Sequence, residues 1–243
     1  LRNSTLVKNP ATGGIIPGVE DRASLEGDTF DIGYTLGALY EYSDQTRFGI
    51  GYRSQVKHKL KGDIKFEGLM LPANQDISAR ITTPANLTIG AYHDINDKWS
   101  VMAEFGRTYW SSFDTLDIYG ENNGKMSTTE ERWKDTTFYA IGASYQYNDQ
   151  WKFRVGFAVD QSAVGQEYRT PRIPDSDRLW YSSGIEYKYN DDWTFNLGYT
   201  YIRADKGKVK LLGYHDGDNA RGSLQADYEN DIHILGFGAS YNF

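Results

Sequence analysis

The stretch HILGFGASYNF, residues 233–243, alternates apolar side chains with small or polar ones. Its apolar positions are Leu235, Phe237, Ala239, Tyr241 and Phe243. The positions between them hold Gly236, Gly238, Ser240 and Asn242. Successive side chains of a β-strand point to opposite sides, so this alternation is typical of a strand with one apolar and one polar face. The stretch therefore predicts a final strand that carries aromatic residues to its end.

The same alternation recurs along the chain. In residues 151–159 the odd positions hold Trp, Phe, Val, Phe and Val, whereas the even positions hold Lys, Arg, Gly and Ala. Similar stretches are 34–42, 48–56, 87–95, 99–105, 139–147, 179–189 and 193–201. With the final stretch they predict about nine antiparallel strands.

The connections between these strands alternate in length. The short turns are SDQT (43–46), NDK (96–98), NDQ (148–150) and NDD (190–192), and the long polar connections are roughly 69–76, 120–134, 163–176 and 213–222. Trp99, Trp151 and Trp193 each follow a short turn directly. Outer-membrane barrels have short periplasmic turns, long outer loops and girdles of aromatic residues at the membrane interfaces. The three tryptophans and Phe243 are therefore predicted to form the periplasmic girdle.

Composition narrows the class of protein. The sequence contains no run of about 18 apolar residues, which excludes a membrane-spanning helix in it. The chain has no Cys, which excludes disulfides and Cys-based metal sites, and its net charge of −7 argues against nucleic acid as a partner. We predict an all-β fold, a transmembrane antiparallel β-barrel. The alternative is a soluble sandwich or soluble barrel. Nothing in such a fold requires short connections at one end of the strands and long connections at the other.

The strand count predicts an incomplete barrel. Bacterial single-chain barrels have an even number of strands, and an open sheet edge in lipid leaves backbone groups unpaired. A periplasmic C-terminus places the start of the first of nine strands outside. We therefore expect residues 1–28 to be the remainder of an extracellular loop, residues 29–243 to be the C-terminal portion of the barrel, and an odd number of strands to be missing before them. The alternative is that residues 1–9 add a tenth strand.

Residues 151–180, WKFRVGFAVDQSAVGQEYRTPRIPDSDRLW, resemble the C-terminal half of the FadL family of outer-membrane long-chain fatty acid transporters. The resemblance rests on the run W-x-F-R-x-G-x-A-x-D-x-S-x-V from Trp151 to Val164, and on I-P-D-x-D-R-x-W from Ile173 to Trp180. Two further segments, 37–63 and TYWSSF (108–113), are also similar to family segments. The resemblance covers about residues 28–243.

This resemblance implies a fourteen-stranded barrel of which the chain holds about the last nine strands. It also implies passive uptake of hydrophobic molecules, most of all long-chain fatty acids. The family's plug domain, its early strands with the lateral exit and much of its ligand-capturing loop have no counterpart in this sequence. A terminal aromatic such as Phe243 resembles the signal that outer-membrane assembly machinery recognises.

A fatty acid needs an apolar slot for its tail and a cation for its carboxylate, and Arg suits the carboxylate because its planar fork donates two hydrogen bonds. The parity predicted to face the lumen includes Arg47, Arg53, Arg154 and Arg178 with Lys152 and Lys188. From this set and its neighbours we select the candidate ligand-binding residues Arg154, Arg178, Trp180, Arg53 and Lys152, and the structural charge partners Asp160, Asp177 and Glu104. The alternative is that all the lumen charges pair with one another and never contact a ligand.

Other functions leave less trace in the sequence. The four His lie in no recognisable motif and no G-x-S-x-G occurs, so we expect no enzyme, no cofactor and no metal. The basic stretch RADKGKVK (203–210) is expected to contact anionic lipopolysaccharide at the outer surface. We expect a monomer in the bacterial outer membrane. An aromatic hydrocarbon transporter of the same family and a structural or general-diffusion barrel are the alternative functions.

Overall fold

The computed structural model describes residues 2–8, 15–67, 74–120, 124–211 and 223–243. Almost all regular structure in these residues is β. The strands are β1 (Arg2–Lys8), β2 (Ile15–Asp28), β3 (Thr35–Ser43), β4 (Thr46–Arg53), β5 (Val56–Glu67), β6 (Gln75–Thr83), β7 (Asn86–Asp94), β8 (Trp99–Thr108), β9 (Thr115–Tyr119), β10 (Lys125–Glu130), β11 (Thr136–Gln146), β12 (Trp151–Asp160), β13 (Arg178–Lys188), β14 (Trp193–Ala204), β15 (Gly207–Leu211), β16 (Leu224–Tyr228) and β17 (Asp231–Tyr241).

Nine of these strands form one antiparallel sheet in the order β17-β14-β13-β12-β11-β8-β7-β4-β3. They coincide with the nine alternating stretches of the sequence, so the predicted strand number is confirmed. Each strand pairs with the next one of the nine along the chain, and β3 and β17 are the two edges. The last strand runs back to the end with the short turns, where Tyr241 lies opposite Trp193.

The short turns are held by asparagine side chains. Asn96 Oδ1 accepts hydrogen bonds from the backbone N–H groups of Lys98 and Trp99, both at 3.0 Å. Asn148 and Asn190 accept the equivalent pairs of bonds two and three residues ahead, at 2.8–3.0 Å. An Asn side chain that bonds the backbone in this way mimics a turn of main chain. In each of the three turns the second of these bonds goes to a tryptophan that is the first residue of the next strand.

The long connections contain strands that the sequence analysis did not predict. A second sheet has the order β1-β2-β5-β6-β9-β10, and β15 pairs with β16 in a separate hairpin. Because β1 pairs with β2 in this second sheet, residues 1–9 do not supply a tenth strand to the nine-stranded sheet. Parts of the predicted long connections, residues 69–73, 121–123 and 213–222, lie outside the described residues.

Helical structure is minimal in the described residues. A single 3-10 turn covers Trp110–Ser112. No helix in this part of the chain is long and apolar enough to cross a membrane.

Buried apolar residues are few and lie mostly where the nine-stranded sheet meets the long connections. They include Ala158 and Ile202 in the sheet, Ala163 and Val164 in the connection after β12, and Val209 and Leu211 in β15. Arg169, only 6% exposed, joins two of these connections: its Nε donates to the Asp175 carbonyl (2.6 Å) and its Nη1 to the Lys208 carbonyl (2.8 Å). The fold is thus a single-layered sheet with a small apolar core at the end where it meets the long connections.

The nine-stranded sheet has two chemically different faces. We define the outer face as the side that carries Ile141, Val155 and Leu197, and the inner face as the side that carries Arg47, Arg154 and Trp180. On the outer face Ile141 and Val155 are 64% and 62% exposed. An extended apolar face that stays exposed requires an apolar environment, whereas the inner face is polar and rich in glycine.

Candidate ligand site on the inner face

Aromatic pairs follow the short-turn end of the outer face. Trp99 packs on Tyr145 with ring centroids 4.6 Å apart, Trp151 on Tyr187 at 4.4 Å, and Trp193 on Tyr241 at 4.9 Å. Each pair joins directly opposite residues of neighbouring strands. Phe243 lies at the same end, 5.3 Å from the Tyr241 ring. The predicted girdle residues therefore share one end of the sheet, where amphipathic rings suit a membrane interface.

A cavity of about 740 Å³ lies against the middle of the inner face. The inner-face side chains with charge or apolar bulk at this cavity are Leu39, Arg47, Tyr92, Met102, Glu104 and Arg154, and Ile141 and Val155 of the outer face also border it. Glycines from five strands line the same space, namely Gly49, Gly90, Gly142, Gly156 and Gly184. A Cβ at Gly142 would lie 3.0 Å from Met102 Cγ, so the glycine lets the methionine side chain lie flat on the wall. The cavity thus combines apolar surface with two guanidinium groups.

Arg154 is already neutralised by a carboxylate. Its Nη2 forms an ion pair with Glu186, and its Nη1 donates to Asn196 Oδ1 at 3.4 Å. Lys152, two residues away on the same face, forms no ion pair among the described residues and lines a second, polar cavity of about 320 Å³ beside the short turns. Of these two sequence-predicted residues, only Arg154 lines the larger cavity.

Arg47 differs from Arg154 because it forms no ion pair within the described residues, although Glu41 lies directly opposite it on β3. Its guanidinium lies over the Tyr92 ring, with Cζ 4.5 Å from the ring centroid. The Tyr92 hydroxyl in turn donates to Asp94 Oδ1 at 2.6 Å, which fixes the ring under the cation. Glu104, predicted as a structural partner, lines the same cavity and likewise forms no ion pair in the described part of the chain.

Arg178 and Trp180 lie at the other end of the inner face, near the long connections. Arg178 forms ion pairs with Asp160 (2.8 Å) and Asp175 (3.1 Å). Asp177, which the sequence analysis paired with it, instead accepts the backbone N–H of Ser162 at 2.7 Å. Trp180 packs edge-on against Phe138, with centroids 6.5 Å apart. These residues tie the connection 161–177 to the sheet, about three residue rows from the cavity that holds Arg47.

Two buried nitrogens in this second cluster have no hydrogen-bond partner among the residues that the structure describes. They are Arg178 Nε and Trp180 Nε1. Arg53, also predicted from the sequence, lies at the end of β4 and is exposed. The structure therefore distributes the five predicted ligand residues over four places on the inner face, and it brings only Arg154 to the larger cavity.

The residue that sequence reasoning passed over is Arg47. The sequence analysis counts it among the inner-face arginines but does not select it as a ligand-binding candidate. The alternation of the strand predicts that Arg47 lies on the inner face. The absence of an ion pair to Arg47 among the described residues can be seen only in the structure. No group of three or more His, Cys, Asp or Glu that could hold a metal occurs in the described residues.

Comparison with known proteins identifies the architecture. A family model described as outer membrane protein transport protein (OMPP1/FadL/TodX) matches residues 3–243. The long-chain fatty acid transport protein of Escherichia coli O6:H1 is 30% identical over 247 residues, covering 96% of this chain and 54% of that protein. A Pseudomonas aeruginosa FadL homologue of known structure aligns with a TM-score of 0.81 at 25% identity, covering 96% of this chain and 57% of its own.

A more distant structure has the same fold. The Pseudomonas putida toluene transporter TodX aligns with a TM-score of 0.59 at 21% identity, covering 99% of this chain and 53% of its own. The chain spans about half the length of the curated relatives it matches. These matches confirm the predicted outer-membrane β-barrel, of which the nine strands are a part. The chain therefore belongs to the FadL/TodX family of outer membrane transport proteins.

Proposed function

We propose that the whole protein is a channel for passive uptake of hydrophobic molecules across the outer membrane, and that long-chain fatty acids are its substrates. One observation carries this proposal: the inner cavity holds a guanidinium, Arg47, that forms no ion pair among the described residues, beside the apolar side chains of Leu39 and Met102. A carboxylate bound there would accept two parallel hydrogen bonds from the arginine fork. The tail of the same molecule would lie on the apolar side chains. Passage needs only a concentration gradient.

The orientation follows from the two ends of the sheet. We propose that the short turns and the C-terminus face the periplasm, and that the second sheet and residues 1–28 lie outside. In this orientation Lys208 and Lys210, exposed on β15, are available to lipopolysaccharide phosphates, whereas Lys206 is paired with Glu229. The final strand with Phe243 is the segment proposed to engage the assembly machinery.

A second candidate substrate is a monoaromatic hydrocarbon. The relative TodX is a toluene transporter by its own description. Such a ligand needs the apolar wall of the cavity but no cation, so it would leave Arg47 without a role. A structural or general-diffusion barrel would use neither feature.

Uptake measurements separate the three functions. Cells that lack the gene are compared with cells that express the full-length protein, using labelled oleate and labelled toluene. We expect expression to raise the initial rate of oleate uptake several-fold and to leave toluene uptake unchanged. Toluene uptake alone would exclude the fatty acid, and leak of a hydrophilic solute from liposomes that contain the protein would indicate a general-diffusion barrel.

A further inference from the structure

The strands β4 and β7 of the nine-stranded sheet continue into β5 and β6 of the second sheet, and the two strand pairs keep one register across a two-residue break at 54–55 and 84–85. Thr46 lies opposite His93 and Arg53 opposite Asn86 in the barrel part. In the second sheet Val56 lies opposite Thr83 and Ile64 opposite Gln75. The two residue numbers add up to the same value in every pair, so no residue is inserted on either strand between the two parts. Side chains of equal parity therefore stay on one side of the ladder from end to end.

The side that begins as the inner face carries a row of cations in its extension. Lys57, Lys59 and Lys61 alternate along β5, and Arg80 lies directly opposite Lys59. All four are exposed and form no ion pair among the described residues. We call these four residues the basic track. Like charges placed directly opposite each other on a sheet are destabilising, so stability does not account for the pair Lys59–Arg80.

Other lysines on the same side of this sheet are neutralised. Lys65 pairs with Asp63 at 3.4 Å, and Lys125 pairs with Asp117 at 3.1 Å. The Asp117 carboxylate also accepts a hydrogen bond from Thr128, and together with Lys125 this lowers the pKa of Asp117. Asp117 lies opposite Arg80, yet it is engaged by these partners, and the Arg80 guanidinium lies over the Tyr119 ring instead. Asp28 on β2 lies directly opposite Lys61, but the two residues form no ion pair. No carboxylate lies directly opposite Lys57 or Lys59 among the described strand pairs, so these two lysines stay open.

The basic track leads to the cations of the barrel wall. Below Lys57 the same side of the same strands carries Arg53 and then Arg47, neither of which forms an ion pair in the described residues. At a rise of roughly 3.3 Å per residue, the distance from Lys61 to Arg47 is roughly 46 Å. An anion that moves along this side of the strands therefore meets cations at intervals, with gaps of roughly 13 Å between Lys57 and Arg53 and roughly 20 Å between Arg53 and Arg47.

We propose that the basic track guides the carboxylate of an incoming hydrophobic anion from the outer sheet to Arg47, an inference that rests on the proposed function. Lipopolysaccharide phosphate is a second source of anionic oxygen. The geometry favours the transported carboxylate, because the basic track continues the inner face and not the lipid-facing one. Fixed cations along a surface raise the local concentration of an anion and its rate of capture, and salt weakens this effect.

The test compares two molecules that differ only in charge. Initial uptake of oleate and of oleyl alcohol is measured against concentration, at low and high salt, in cells that express the full-length protein. In the variant Lys57→Gln/Lys59→Gln/Arg80→Gln we expect the half-saturating concentration of oleate to rise about 3- to 10-fold, with most of its salt dependence lost. Uptake of the alcohol should not change. The control Lys65→Gln/Lys125→Gln removes two paired lysines from the same sheet and should change oleate uptake less than about twofold.

Each other outcome contradicts the proposal in its own way. Unchanged oleate uptake in the triple variant excludes a role in capture, and if those cells also become sensitive to detergent, the basic track serves lipopolysaccharide. An equal loss for oleate and the alcohol indicates a structural role. If the wild-type protein takes up neither molecule, the proposed function fails and the basic track proposal falls with it.

Discussion

Replacing Ile141 with arginine is expected to destabilise the barrel by about 2–4 kcal/mol, because this side chain lies in the lipid-facing wall. Ile141 is in the middle of β11, opposite Ala103 on one side and Phe157 on the other. A guanidinium there would have no polar partner in the neighbouring strands and would have to reach the membrane interface. The free energy of unfolding of the full-length protein in lipid vesicles, measured by denaturant titration, gives the change.

The matched control is the adjacent residue on the other face. Ala140→Arg places the same group on the inner face, directly opposite Glu104, which has no ion pair among the described residues. An arginine that faces a hydrated cavity and a carboxylate should change stability by less than about 1 kcal/mol. If both variants lose the same stability, the assignment of the two faces is wrong.

The substitution Arg47→Met is expected to weaken oleate binding by about 10- to 100-fold, which corresponds to the loss of about 1.5–3 kcal/mol from hydrogen bonds to a charged group. Methionine keeps the apolar length of the side chain and removes the only function that the proposal assigns to it. Equilibrium binding of radiolabelled oleate to the full-length protein in nanodiscs, corrected with empty nanodiscs, measures the effect. Toluene binding, measured in the same way, should not change.

Arg154→Met serves as the comparison in the same cavity. Its guanidinium already pairs with Glu186 and Asn196, so we expect a smaller loss of oleate affinity than for Arg47→Met. Arg47→Lys should retain part of the affinity because it keeps the charge but not the planar fork. A larger effect at Arg154 than at Arg47 would show that the ligand displaces Glu186 and that the assignment to Arg47 is wrong.

The barrel strands were predictable because their pattern depends only on local residues. Strand β12 covers Trp151–Asp160 where the alternation covers 151–159. The Asn-Asp turns mark the ends of the strands, because the Asn side chain bonds the backbone of its own turn. The second sheet was not predictable in this way. Strands β9 and β10 have only five and six residues, and their pairing depends on partners brought together by the barrel. In β5 the residues Lys57, Lys59 and Lys61 alternate with Val56, His58 and Leu60, but the sequence analysis assigned no strand to residues 57–67.

The candidate site shows the same division between local and long-range information. Parity placed Arg154, Arg178 and Trp180 correctly with the polar residues of one face, but it could not tell which charges are neutralised. Arg178 pairs with the predicted Asp160 and also with Asp175. Asp177 is not its partner, because the connection turns Asp177 toward the backbone of Ser162. The partner of Arg154 is Glu186, one strand away and 32 residues along the chain. Such pairings require the register of the sheet, which no single stretch contains.

The most direct test of the account is to locate the ligand in the full-length protein. A structure of the whole barrel with a fatty acid brominated at the end of its tail shows the tail by the anomalous signal of bromine, and the density shows the carboxylate. We predict the carboxylate within hydrogen-bond distance of the Arg47 guanidinium, and the tail along Leu39 and Met102 on the inner face. A carboxylate held by Arg178 near the long connections, with the cavity beside Arg47 empty, would contradict the account.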